Sequence, residues 1–217
     1  FYIQLIDTTE RLSYGLVEEI ALFLVVLGHL IRALTVGHRS MQTSGRNRSH
    51  QVAEVLNTKG MYSVVQHPLY LANILIWIGW TTLLCIPWLI VVATFVFVVY
   101  YLFIIYAEEQ FLRGKFGQDY ERWHRRTPRL IPNPFLYTSS PNDFSWRIVF
   151  KNEYPGWTAS LSIALCIYSL LLNRLYPFLE HPDLYWKGWL VFGSGIAIFG
   201  LTFRYLKHRT KLFHEMD

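Results

Sequence analysis

Three groups of polar side chains in this chain are of types that could do chemistry. The first lies in "GMYSVVQHPLYLAN", Gly60 to Asn73, where His67 and Pro68 interrupt an aromatic, apolar run. Proline fits the first turn of a helix, so Pro68 predicts a helix start with His67 at or beside its cap. The free N–H groups of such a start attract anions. The second group is Glu108 and Glu109, which close a long apolar run; two carboxylates at a span end are costly if they point into lipid. The third is "TSGRNRSHQ", Thr43 to Gln51, where Arg46 and Arg48 offer planar forks suited to phosphate or carboxylate. Each group also has a plain structural reading. These are a capped interfacial helix with Tyr62 and Tyr70 as aromatic anchors, carboxylates reaching water, and a solvated basic loop.

The elements that must position these groups look like membrane helices. The chain is 53% hydrophobic and 16% charged, against about 25% charged in soluble domains. A span needs about 20 apolar residues. Five segments qualify, at 16–36, 69–85, 88–106, 157–175 and 186–206, with His29 and Arg32 inside the first. Only "CIPW" separates the second and third, and Pro87 forces a tight turn. The expectation is therefore an all-α, polytopic membrane protein with about five transmembrane helices. It forms one membrane domain over 1–217, with a catalytic region at 43–132 on the cytoplasmic face. "GSGIAIFG" in the last span suggests close helix approach through small residues.

The loops orient this arrangement. With five spans, Arg39, Arg46, Arg48 and Lys59 fall on the same side as the basic run from Arg113 to Lys151 and the tail from Lys207. The positive-inside rule puts that side in the cytoplasm and the N-terminus outside. His67 and Glu108 then share one face, because the short turn makes the ends of the second and third spans neighbours. The formal charge of +5 does not point to nucleic acid, since the basic residues lie between apolar runs. Cys85 and Cys166 sit in apolar runs and read as free thiols rather than a disulfide or metal pair. No Rossmann glycine pattern, P-loop, zinc spacing or serine-hydrolase motif occurs. The chain starts at Phe1 rather than Met, and no signal-peptide pattern is evident.

In order, the chain holds Gly60 and Tyr62, then His67, Pro68 and Tyr70, a hairpin, Glu108 and Glu109, then Phe116, Gly117 and Tyr120, and a basic run ending in Pro128 and Arg129. This combination resembles the isoprenylcysteine carboxyl methyltransferase and phospholipid methyltransferase family of integral membrane enzymes. The resemblance covers Gly60 to about Pro132. It implies S-adenosylmethionine as cofactor, cradled by Tyr62, His67, Pro68, Leu69 and Tyr70 and contacted by Glu108. Glu109 beside it, and less directly Gln51 and Glu54 through Asn57, complete the implied cofactor site. Gln66 stands where the family often has arginine. Ile104 stands where its carboxyl methyltransferases carry an arginine for the substrate carboxylate, a charge Arg46 or Arg48 could supply.

The function expected is methyl transfer to an anionic oxygen, carboxylate or phosphate, of a lipid or lipidated acceptor entering from the bilayer. Arg46, Arg48 and His67 are the candidate catalytic residues; no metal and no nucleic acid take part. An amine acceptor would need a base, and His67 is the one candidate nearby. Two other readings fit parts of the pattern: an NADPH-dependent sterol-type membrane reductase, and a non-enzymatic membrane scaffold or transporter.

Overall fold

A computed structural model describes residues 8–38, 55–175 and 182–209. Seven helices occur among them: α1 (Thr8–Gly37), α2 (Met61–Val64), α3 (Pro68–Thr82), α4 (Pro87–Phe116), α5 (Gln118–His124), α6 (Trp146–Leu175) and α7 (Pro182–Arg209). The described residues contain no strand, only an isolated antiparallel bridge between Gly60 and Thr138. The all-α membrane architecture expected from composition is what the chain adopts.

Helix lengths differ from the five apolar runs. Among the described residues, three helices are long and apolar enough to cross a membrane, at Gly15–Gly37, Pro87–Phe116 and Lys187–Lys207. The second expected span is the 15-residue α3, which at about 1.5 Å per residue falls short of a hydrocarbon core of about 30 Å. The fourth lies within α6, which begins eleven residues before the apolar run and carries Arg147, Lys151 and Glu153 in its first turns. Periodicity alone marked the apolar run and not the polar helical turns before it.

Pro68 and Pro87 each occupy a helix start, as their missing N–H groups favour. The turn between α3 and α4 passes through Cys85 in a left-handed conformation, φ 54°. Residues at similar sequence distance from Pro87 then meet across the hairpin: Trp77 stacks on Phe97 at 4.7 Å, and Tyr70 lies 5.7 Å from Tyr101. Gly117, at φ 51°, ends α4 and turns the chain into α5.

The tightest approach of helices is between α1 and α3, which sequence spacing did not mark. A Cβ on Gly28 of α1 would lie 2.7 Å from the Ala72 carbonyl oxygen of α3, and one on Gly79 would lie 2.6 Å from that of Ala21. On α7, Gly195 meets nothing and Gly193 makes an ordinary contact, but a Cβ on Gly200, the last residue of the small-residue stretch, would lie 3.1 Å from the Thr158 side chain of α6, so that stretch also takes part in a close approach. Around the α1–α3 seam, Ala21, Val25, Ile76, Trp80 and Leu83 form a core that Ile167 of α6 joins.

α6 is also held by charge. The Arg32 guanidinium donates to both carboxylate oxygens of Glu153, at 2.5 and 2.8 Å, and to the Asn73 side-chain oxygen at 2.5 Å. Both charged residues are buried, Glu153 at 1% exposure. An intramembrane ion pair persists only when its partners satisfy each other. Further along the same two helices, His29 Nε2 meets the Ser160 hydroxyl at 2.8 Å.

Removing one partner leaves a bare buried charge, at a cost of about 3–5 kcal/mol, whereas apolar replacement of both is often neutral. Glu153→Leu should therefore lower thermal stability in detergent strongly, and the Arg32→Met/Glu153→Leu double variant should recover most of it. A double variant no more stable than the single one would show that the pair acts otherwise.

Candidate active site

The site forms where α3 begins and α4 leaves its apolar stretch. His67, 4% exposed, caps α3 without a side-chain bond to its own helix. Its Nε2 instead faces Glu109 Oε1 at 3.2 Å. A carboxylate only accepts, so Nε2 carries the proton and donates. Arg129 closes on the same carboxylate, Nε to Oε1 at 2.7 Å and Nη2 to Oε2 at 2.8 Å. Glu109 is thus buried, 5% exposed, with both oxygens engaged.

Glu108 has the other fate. Its side chain is 31% exposed and its Oε2 stands 3.9 Å from His67 Nδ1, beyond hydrogen-bond reach. It hydrogen-bonds the Tyr70 hydroxyl, and Tyr70 stacks on the His67 ring at 5.8 Å. Of the two carboxylates, one is a structural tie and one is left facing a cavity. The sequence placed Glu108 beside His67; the nearer partner is Glu109, because its position on α4 turns inward.

Gln66 explains its own departure from the family pattern. Its amide nitrogen donates to the Thr127 carbonyl at 2.5 Å and the His124 carbonyl at 2.9 Å, while its oxygen accepts from His124 Nδ1 at 2.9 Å. Arginine could donate but not accept here. The backbone adds further ties: Gln66 N to Pro128 O at 2.8 Å, Asn133 N to Val64 O at 3.0 Å and Gly60 N to Thr138 O at 2.8 Å. Trp123 Nε1 donates to the Tyr62 carbonyl at 3.0 Å. The stretch after α5 therefore wraps the segment that leads into His67. Tyr120, fully buried in this junction, has its hydroxyl pushed up to about 12, chiefly by burial and then by the charge of Glu109; it stays neutral at physiological pH.

Two cavities flank Tyr62. A small one of about 30 Å³ is lined by His67, Glu108, Gln66, Leu112 and Trp123, with Val55 to Asn57 on its other wall. One of about 260 Å³ shares Val55 to Asn57 and Tyr62 and runs toward Thr35 and His38. Pro68 is buried, and Leu69 follows it in the first turn of α3. Among the described residues no cluster of His, Cys, Asp and Glu could hold a metal ion. Arg46, Arg48 and Gln51 lie outside the described residues, as does Glu54.

Residues 18–119 match the family model described as phospholipid methyltransferase. That segment, just under half of the chain, is similar to the phospholipid methyltransferase family. It holds the last two thirds of α1, the α3–α4 hairpin, His67 and both glutamates, while Arg129 and Glu153 fall beyond it. The chain is also similar to a probable protein-S-isoprenylcysteine O-methyltransferase of Oryza sativa subsp. indica, 32% identical over 130 residues that make up 57% of this chain and 65% of that protein. Against protein-S-isoprenylcysteine O-methyltransferase B of Arabidopsis thaliana the identity is 30% over 125 residues, 54% of this chain and 59% of that one. The chain thus spans somewhat less than two thirds of these relatives. No solved structure matches it.

Sequence reading missed three features of the candidate site and its surroundings: the Arg129 tie to Glu109, the Gln66 bonds, and the Arg32–Glu153–Asn73 cluster. Arg129 was visible only as the end of a motif. Arg32 stood out as a charge within an apolar run, but its partner lies 121 residues away.

Stranding the buried carbonyls and His124 costs about 1–3 kcal/mol. Gln66→Ala should lower the melting temperature of the purified protein, and Gln66→Arg should fail to restore it. Wild-type stability in Gln66→Arg would remove the need for an acceptor at this position.

Proposed function

We propose that this protein is an S-adenosylmethionine-dependent methyltransferase acting on an anionic oxygen, carboxylate or phosphate, of a lipid or lipidated acceptor in the membrane. The observation that carries this reading is Glu108: a partly exposed carboxylate with no arginine or lysine paired to it among the described residues, facing a cavity at the start of α3 beside the His67 ring, whose Nε2 is held by Glu109. The family of residues 18–119 and the names of the plant relatives support methyl transfer.

The residues fit the donor's three charged groups. Glu108 would hold its ammonium. The N–H groups of Leu69 and Tyr70, in the first turn after Pro68, have no intrahelical acceptor and would take its carboxylate. The small cavity, about 30 Å³, would have to widen to take the methionine end, and the nucleoside would lie past Tyr62 in the larger one, against Val55 to Asn57. Gln51 would extend that wall. Bound there, the donor supplies a methyl group made electrophilic by its sulfonium.

The protein's part is orientation and exclusion of water. The Glu109–Arg129 tie fixes the His67 ring, His67 backs Tyr70, and Leu112 and Trp123 cover the small cavity. His67 Nε2–H is committed to Glu109, and an anionic acceptor oxygen needs no base, so His67 positions rather than removes a proton. Arg46 and Arg48 would meet the acceptor's negative charge. The basic loops favour a cytoplasmic active site with the N-terminus outside.

A charge-assisted bond is worth about 1.5–3 kcal/mol, roughly a 10- to 100-fold change in affinity. Glu108→Gln should weaken S-adenosylmethionine binding by that factor in calorimetry and leave the melting temperature unchanged, while NADPH should give no heat. Unchanged donor affinity in Glu108→Gln would sink the assignment, and NADPH binding would favour a reductase.

A further inference from the structure

The segment after α5 carries a second arrangement that the proposed donor site does not use. Its backbone is fixed by the bonds from Gln66, Asn133 and Gly60, and by Thr138 N to Ser63 Oγ at 2.9 Å. Between these ties a single 3₁₀ turn, Pro134–Leu136, is capped by the Asn133 side chain. The apolar side chains on this rigid turn nonetheless point outward: Ile131 is 83% exposed, Phe135 96% and Tyr137 53%.

Arginines stand directly before the turn. Arg125 and Arg126 are exposed, and neither side chain makes an ion pair or hydrogen bond among the described residues. Arg126 lines a cavity of about 460 Å³ with Arg122, Thr127, Thr138, Trp123 and Leu136. Asp119 is at its rim, paired with Arg122, which leaves Arg126 as the cation for an incoming anion. An exposed pair of this kind is weak, so Arg122 can also turn to a stronger anion.

Height relative to the bilayer decides the partner. Arg129 is bonded to Glu109, and Glu109 follows directly on the apolar run of α4. Residues 122–137 are therefore held where α4 leaves the hydrocarbon, at headgroup level. Hydroxyls and arginines suit a phosphate, and outward Ile and Phe suit acyl chains just below it. We propose that residues 122–137 dock on the bilayer surface, with the phosphate of an anionic phospholipid in the Arg122–Arg126–Thr127 groove and Ile131 and Phe135 entering the acyl region. This contact does not depend on methyl transfer.

The test uses the full chain in lipid nanodiscs, with Cys85→Ser and Cys166→Ser, and a fluorescent nitrobenzoxadiazole label on Phe135→Cys. Phe135 is almost fully exposed, so the label does not disturb packing. In nanodiscs containing phosphatidylglycerol the label should shift to the blue and resist aqueous iodide, while a label on exposed Asp143→Cys should remain quenched. Arg125→Gln and Arg126→Gln should each raise the anionic lipid needed roughly fivefold, as expected for one basic residue at an anionic surface. Equal quenching at 135 and 143 would overturn the proposal. So would protection in pure phosphatidylcholine that is indifferent to the arginines, since no anion would then be recognised. Inorganic phosphate added to neutral nanodiscs should leave the label in water; a shift there would assign the arginines to a soluble anion instead.

Discussion

One carboxylate organises the candidate site. Glu109 accepts from His67 on the segment before α3 and twice from Arg129 on the segment after α5, so three stretches far apart in sequence meet at two oxygen atoms. Three bonds and burial commit Glu109 to this tie and leave Glu108, one residue earlier on α4, to face the cavity. Adjacent residues on a helix point about 100° apart, so a Glu-Glu pair at a helix's exit naturally divides into an inward strut and an outward contact. Without the strut, His67 would sit buried beside an apolar helix with nothing to orient its ring.

The bilayer imposes the second constraint. With little hydrophobic gain from helix contact in lipid, association depends on close packing and satisfied polar groups. The chain uses both: Gly28 and Gly79 let α1 and α3 meet backbone to side chain, and Arg32 with Glu153 ties in α6. Glu153 lies beyond the residues that match the family model, so α6 is fastened to α1 by a charge and not only by apolar contact. Breaking such a pair costs more than never having had it.

Much of this was legible from residue types. Pro68 and Pro87 marked two helix starts, since a ring without an N–H fits there better than elsewhere. The short turn put His67 near the glutamates. What sequence could not show was which glutamate turns inward, because that depends on the helical phase fixed by packing. The polar first turns of α6 were invisible to an apolar-run count, and the short α3 looked longer because Leu83 to Cys85 are apolar but belong to the turn. Gln66 looked like a lost arginine until its acceptor role was seen; identity at a position says little when the bonding partners are backbone carbonyls elsewhere in the chain. The small-residue stretch of α7 drew attention by its spacing, and its Gly200 does approach Thr158 closely, but the tightest seam formed at two single glycines on α1 and α3 with no motif between them.

The seam between α1 and α3 also sets a direction of travel. With Gly28 and Gly79 pressed against carbonyl oxygens of the facing helix, there is no gap on that side wide enough for an acyl chain. α4 contrasts with it: Val91, Val92, Phe95, Val96 and Phe103 all stand largely exposed along its outer face. A molecule diffusing in the leaflet toward His67 therefore meets a sealed wall on one side and a greased rail on the other. The rail ends at Tyr106, one turn short of the glutamates.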